Sequence, residues 1–189
     1  MDIPVIIGLV IAVIVSLTVI GLYNSIIGGH NRAQRAWADV LTYERQKTKV
    51  LDALQEQVTQ YQEYEQSLLG EITRLRSAIA ELPAAADGNS LAKTEQATQA
   101  LLSGLRVAFE AYPDLKASEV LNNLMREITE QQENVGAAIV IFNGEVERFN
   151  NTLQMFPGSL VNGALNKKSP ITPFTDAQAA QGFSYRPNL

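Results

Sequence analysis

The sequence predicts an all-α protein: an N-terminal transmembrane helix, then an elongated antiparallel helical bundle with coiled-coil-like packing. Three observations lead there. Residues 3–22 carry no charged side chain. From Trp37 to Phe156, apolar residues recur mostly at alternating spacings of three and four, the repeat of a left-handed helical seam. Prolines at 83, 113 and 157 cut that pattern into helix-length pieces. The division predicts an anchor over residues 1–23, a bundle over 24–157 and an irregular tail over 158–189.

The anchor comes first. A bilayer core about 30 Å thick needs about 20 apolar residues, and the uncharged run is that long. A cleaved signal peptide would carry a basic n-region and a small-residue cleavage site. Here only Met1 and Asp2 precede the run, and Tyr23-Asn24 follows it, so a retained anchor is expected. Tyr23 stands where an interfacial aromatic belongs. No basic residue precedes the span, whereas Arg32, Arg35, Arg45, Lys47 and Lys49 follow it. The positive-inside rule then places the C-terminal domain in the cytoplasm and the short N-terminus outside; a periplasmic domain is the alternative. Gly8, Ala12 and Ser16 recur every four residues, and such small faces let spanning helices associate. They are also ordinary residues in such spans.

Composition excludes several functions. Net charge is −5 over 189 residues with no basic stripe, which argues against nucleic acid as a partner. With no cysteine and a single histidine, His30, there is no disulfide and no ordinary zinc site. EF-hand spacing, a phosphate-cradling glycine loop and a nucleophile elbow are all missing from the sequence. Accordingly no catalytic, cofactor-binding or metal-binding residue is assigned, and a non-enzymatic protein is expected.

After the anchor, Gly28 and Gly29 predict a possible kink, since each weakens a helix by about 1 kcal/mol relative to alanine. One long helix is expected over residues 31–82. Its stripe is Trp37, Val40, Leu51, Leu54, Val58, Tyr61, Leu68, Ile72, Leu75, Ile79 and Leu82. The same phase passes through Glu44, Lys47 and Glu65. These are either register-setting polar layers or, as is more common, exposed positions of the seam.

Residues 83–90 form a loop by composition, with Ser90 as a candidate N-cap. The next helix carries Ala97, Leu101, Leu105, Ala108, Phe109 and Tyr112 on one face. Pro113 ends it, because the residue before a proline avoids helical geometry. Ser118 caps a third segment whose stripe runs from Leu121, Leu124 and Ile128 through Val135, Ile139, Phe142, Val146, Phe149 and Leu153 to Phe156. Gln132 interrupts it, and Pro157-Gly158 stops it. The tail, with Pro170, Pro173 and Pro187, is expected to dock through Phe174 and Phe183.

The helix lengths do not match. A short antiparallel partner would leave Trp37, Val40, Leu51 and Leu54 uncovered unless the third segment returns along them, the long helix breaks, or another chain packs there. Apolar area left in water costs about 25 cal/mol per Å². With the small face in the span, these four residues predict a homo-oligomer.

Ordered motifs then point to a family. Tyr23-Asn24 follows the span; Ala36-Trp37-Ala38-Asp39-Val40 comes next; Tyr61 and Glu65 follow, with Tyr64 between them where a histidine is usual. The most specific string is Tyr112-Pro113-Asp114-Leu115-Lys116-Ala117. Phe142-Asn143 and Phe149-Asn150 stand for repeated Tyr-Asn pairs, and Phe156-Pro157 closes the series. The chain resembles the LemA family of bacterial membrane proteins over almost its whole length. It departs at Leu51-Asp52-Ala53-Leu54, where Ile-Pro-Asn-Leu is frequent; without the proline no kink is forced.

The resemblance implies a helical bundle behind one span of the inner membrane, and no established enzymatic activity. One branch of the family is associated with building intracellular membrane compartments. The expected function is a membrane-anchored scaffold of the cell envelope that associates with itself. A regulatory adaptor for another envelope or signalling protein is the alternative. The bilayer, further copies of the chain and other membrane proteins are the expected partners. Asp114 and Lys116 read as turn chemistry rather than a recognition loop. Trp37 reads as packing, and Asn143 and Asn150, seven apart, as hydrogen-bonding or register positions on one face.

Overall fold

The computed structural model describes residues 2–59, 65–112 and 117–175. Its helices are α1 (Ile3–Thr59), α2 (Glu65–Ala80), α3 (Leu91–Ala111), α4 (Glu119–Gln154) and the single turn α5 (Gly158–Val161). A 3-10 turn over Gly88–Ser90 precedes α3, and a π-helical turn over Asn162–Asn166 follows α5. Among the described residues there is no strand.

The 57-residue α1 joins the span to the bundle without interruption. It contains the one stretch of described helix long and apolar enough to cross a membrane, and none of that window is buried. The helix continues through Gly28-Gly29, where a kink was expected, without interruption. Gly29 serves packing instead: a Cβ there would lie 3.3 Å from Phe149 Cδ2, so the glycine lets α4 come close. The helix also runs unbroken through Leu51–Leu54.

The single helix expected over residues 31–82 is instead two. α2 folds back along the distal end of α1, where Arg76 reaches Asp52 at 2.6 Å and Gln55 at 2.9 Å. α3 reverses again, with Lys93 opposite Glu81 and Gly104 beside Leu68. α4 then runs back along the part of α1 that follows the apolar run: Trp37 packs on Phe142 (ring centroids 5.2 Å apart) and His30 on Phe149 (5.5 Å). The result has two zones. Far from the span, four helices surround Leu51, Leu54, Leu75, Leu101, Leu105 and Ile128. Near the span, α1 and α4 pair around Trp37, Phe142, Val146 and Phe149, covered by the loop after α2 and by the chain after α4.

Capping is legible at one end and displaced at another. Ser118 accepts from the Leu121 amide at 3.4 Å, as expected of an N-cap. Ser90 makes no such bond; its hydroxyl donates to Asp87 O at 2.6 Å, and Asp87 accepts from the Asn89 amide. Asp87 takes the capping role because a 3-10 turn intervenes before α3. Tyr112 has the extended backbone (φ −131°, ψ 100°) that a following proline demands.

Candidate functional site

The zones meet at a layer of buried polar groups. Lys47 is fully enclosed, with its ammonium 2.8 Å from a Glu44 carboxylate oxygen. It donates to Thr98 Oγ1 at 3.2 Å and to Gln132 Oε1 at 2.7 Å. Gln132 in turn donates to Glu95 at 2.6 Å. The Thr94 hydroxyl is buried one turn before Thr98, with no hydrogen-bond partner among the described residues. Burial pushes the Glu44 carboxyl above its ordinary range; Lys47 opposes that shift and Glu95 adds to it. The layer ties α1, α3 and α4 together at one level. A buried charge without partners costs several kcal/mol, so this lysine fits at few registers. Glu44 and Lys47 are thus polar members of the seam, and the expectation of an exposed seam is corrected. They are buried because α3 and α4 close over this stretch of α1. Glu65 has a side chain outside the described residues.

A second constellation holds the chain after α4. Asn150 donates to Ile171 O at 2.8 Å and accepts from Ile171 N at 2.9 Å. Asn143 does the same to Phe174, both bonds at 2.9 Å. Asn162 repeats the pattern on Lys168, again at 2.9 Å. Each carboxamide reads the N–H and C=O of one residue. The residues read are three apart, and Pro170 and Pro173 hold φ near −65° between them. The match is geometric. Three residues of extended, polyproline-like chain span about 9–10 Å, and seven residues of helix span about 10.5 Å. Asn143 and Asn150 therefore meet successive turns of an antiparallel strap over residues 168–174. The loop clasps its other side: Gly88 N donates to Thr172 O at 2.9 Å. A Cβ at Gly88 would collide with the backbone of Pro173 and Phe174, so only glycine fits.

The expected residues can now be placed. Trp37 is buried, stacked on Phe142, and its indole N–H donates to Pro83 O at 2.9 Å. Trp37, Val40, Leu51 and Leu54 are each 0% exposed, so they present no surface to a second chain; the self-association assigned to them is corrected. α4 covers the first two, and α2, α3 and α4 cover the others, because the long helix breaks and folds back. Gly8, Ala12 and Ser16 lie on the exposed span, where Ser16 bonds its own helix at Ala12 O (2.8 Å). Tyr23 is partly exposed, and its carbonyl accepts from Asn166 at 3.3 Å; Asn24 and Asp39 are exposed. Asn143 and Asn150 hold the strap rather than another helix. Phe156 is exposed, and Pro157 leads into α5. Tyr112 packs on the distal core. Pro113, Asp114, Leu115, Lys116, Tyr61 and Phe183 lie outside the described residues. The tail is not wholly irregular: residues 158–166 are helical, and Phe174 docks on the core.

Sequence reasoning missed Asn162, Gly88 and Asp87. The signal for Asn162 was available: a further asparagine upstream of the Pro170-x-x-Pro173 segment. Among the described residues, no three His, Asp or Glu side chains converge as metal ligands. The opening between α2 and α3, lined by Arg74, Ser77, Glu81, Lys93 and Gln96, is an open groove.

Of the residues matching the LemA motifs, Tyr23, Trp37, Phe142, Asn143, Phe149 and Asn150 lie in the zone beside the apolar run, whereas Tyr112 packs on the distal core. A family model described as the LemA family matches residues 36–183. This chain belongs to the LemA family. Protein LemA of Metamycoplasma hominis is 26% identical over 137 residues, which is 72% of this chain and 62% of that protein. The chain therefore spans under two thirds of that relative's length. The LemA match takes in the paired zone, the polar layer and the strap.

Proposed function

We propose that this LemA-family chain is a non-enzymatic, membrane-anchored adaptor of the bacterial cell membrane. Its bundle presents a finished outer surface to other membrane or signalling proteins. The observation that carries this reading is self-sufficiency. The bundle covers its own apolar stripe and uses its specific polar contacts on its own segments, while α1 continues outward as an exposed apolar helix. Arg32 and Arg35, just past the span, support a cytoplasmic bundle.

A self-associating scaffold is the second reading. It now rests on the span, where Gly8, Ala12 and Ser16 are open along the helix. The mass of the full-length protein in mild detergent separates the two. An adaptor gives the mass of one chain, and in-cell cross-linking captures a stoichiometric partner. A larger mass that Gly8→Leu abolishes makes the span an assembly device, and the scaffold replaces the adaptor.

A further inference from the structure

α4 and α1 keep a one-for-one register, Phe142 on Trp37 and then Phe149 on His30. Continued by seven residues, that register brings Phe156 level with Tyr23, at the end of the uncharged run. Contacts confirm the level. Asn166 Nδ2 donates to Tyr23 O at 3.3 Å. Val19 and Leu22, both inside the uncharged run, pack against the core cluster that includes Val161. The turn between α4 and the strap thus overlaps the span by about one helical turn.

That turn is apolar on the outside. Met155 is 67% exposed, Phe156 78%, Leu160 64% and Leu165 53%. Lys167 and Lys168 follow immediately, with Lys167 exposed. Large apolar groups gathered at the end of a bundle, with lysines just beyond them, match a segment lying in a bilayer interface while its cations stay at headgroup level. An aqueous setting would leave this patch in water beside a helix that is itself in lipid.

We propose that residues 155–165 form a second, non-spanning membrane contact. The apolar tip enters the interface of the leaflet that faces the bundle, and lipid is its partner. The proposal rests on the reading of α1 as a membrane anchor. Its consequence is orientation: a bundle held at two points stands in a fixed attitude to the bilayer, whereas one span alone leaves it free to tilt.

The chain contains no cysteine, so a single nitroxide label reports one place. Full-length protein with Phe156→Cys or Leu160→Cys is labelled in vesicles of phosphatidylethanolamine and phosphatidylglycerol. Ala12→Cys marks the span and Ile141→Cys an exposed position well along α4. Accessibility to oxygen is compared with accessibility to a water-soluble nickel chelate. The expected result is a several-fold preference for oxygen at 156 and 160, in the direction of Ala12→Cys and opposite to Ile141→Cys. If 156 and 160 behave like 141 while 12 is lipid-like, the tip is aqueous and the proposal fails with the anchor intact. If 12 is also aqueous, the anchor reading fails and takes the proposal with it. Protection of 156 and 160 from both reagents means that protein covers the tip, which overturns the lipid assignment.

Discussion

The two zones of the bundle solve the same packing problem in different ways. Far from the apolar run, four helices enclose a core of aliphatic side chains, and almost any well-shaped apolar set would serve. Near the apolar run only α1 and α4 remain, and two helices alone leave apolar surface uncovered. The chain closes that surface with a loop and an extended strap, neither of which satisfies its own backbone. Side chains must do it instead: three asparagines for the strap, Trp37 for Pro83 O, and Asp87 for the turn before α3. Of the motif residues, Trp37, Asn143 and Asn150 stand where regular secondary structure stops supplying hydrogen bonds. This is a physical reason for specific residues there that needs no active site.

The boundary between the zones carries the largest expected effect. Lys47→Met removes the only cation beside Glu44 among the contacts described, and breaking a buried pair in this way costs about 3–5 kcal/mol. Denaturation of the full-length protein in detergent measures it. Replacing both partners, Lys47→Met with Glu44→Leu, should recover most of that loss. The sign with pH is fixed. The Glu44 pKa is raised in the folded state, so its contribution is complete below the unfolded value near 4.5 and is lost as pH rises through the raised value. Without Lys47, both remaining causes push upward. The single variant should then be markedly less impaired at low pH than at neutral pH.

Next in size is a test of whether the zones melt together. Leu101→Ala empties a fully buried distal site and should cost about 2–5 kcal/mol. Trp37, the only tryptophan, reports on the other zone. Because α1 and α4 pass through both, tryptophan fluorescence and helical circular dichroism should shift by the same amount. A fluorescence midpoint left at its original value would show that the zones unfold separately.

The strap comes third. Asn143→Ala removes both bonds to Phe174, and leaving part-buried backbone groups unpaired costs about 1–2 kcal/mol, the lower part of the range for buried ones. The effect should be local: amide exchange at Phe174 accelerates by roughly tenfold or more, while Ile171, held by Asn150, stays protected. Asn150→Ala should reverse the pattern. Equal acceleration at both would mean that the strap is held as one piece.

The contrast between zones also explains what could be read in advance. Helix positions, the Ser118 cap and the stop at Tyr112 follow from period and local chemistry, and these were legible. The reversal between α1 and α2 was not, because the stripe from Val58 to Leu68 continues in phase, and periodicity does not register a reversal. The uncovered stripe at Trp37 and Leu51 was inferred from that missed reversal, so an oligomer seemed necessary where a hairpin suffices. Asn143 and Asn150 were visible as a pair, but their partner was not. An extended segment has no signature beyond its prolines, and a carboxamide that reads backbone leaves no mark in the sequence it reads.

The smallest effect tests how the strap and α1 communicate. His30 packs edge-on against Phe149, and its pKa lies below the ordinary value of 6.5. Burial is the larger cause, and the charge on Lys168 is the second. With the folded pKa lowered, the unfolded chain takes up the proton more readily. The stability this group contributes is therefore complete above pH 6.5 and is lost as pH falls through the folded value. His30→Gln should flatten that acid limb. Lys168 is beside His30 because Asn162 holds its backbone. Lys168→Met should then move the titration of the single histidine upward, back toward 6.5. Asn162→Ala should move it in the same direction by freeing the strap. A histidine unmoved by Lys168→Met would show that the Lys168 charge does not set its pKa, and that the strap is felt at α1 through packing rather than charge.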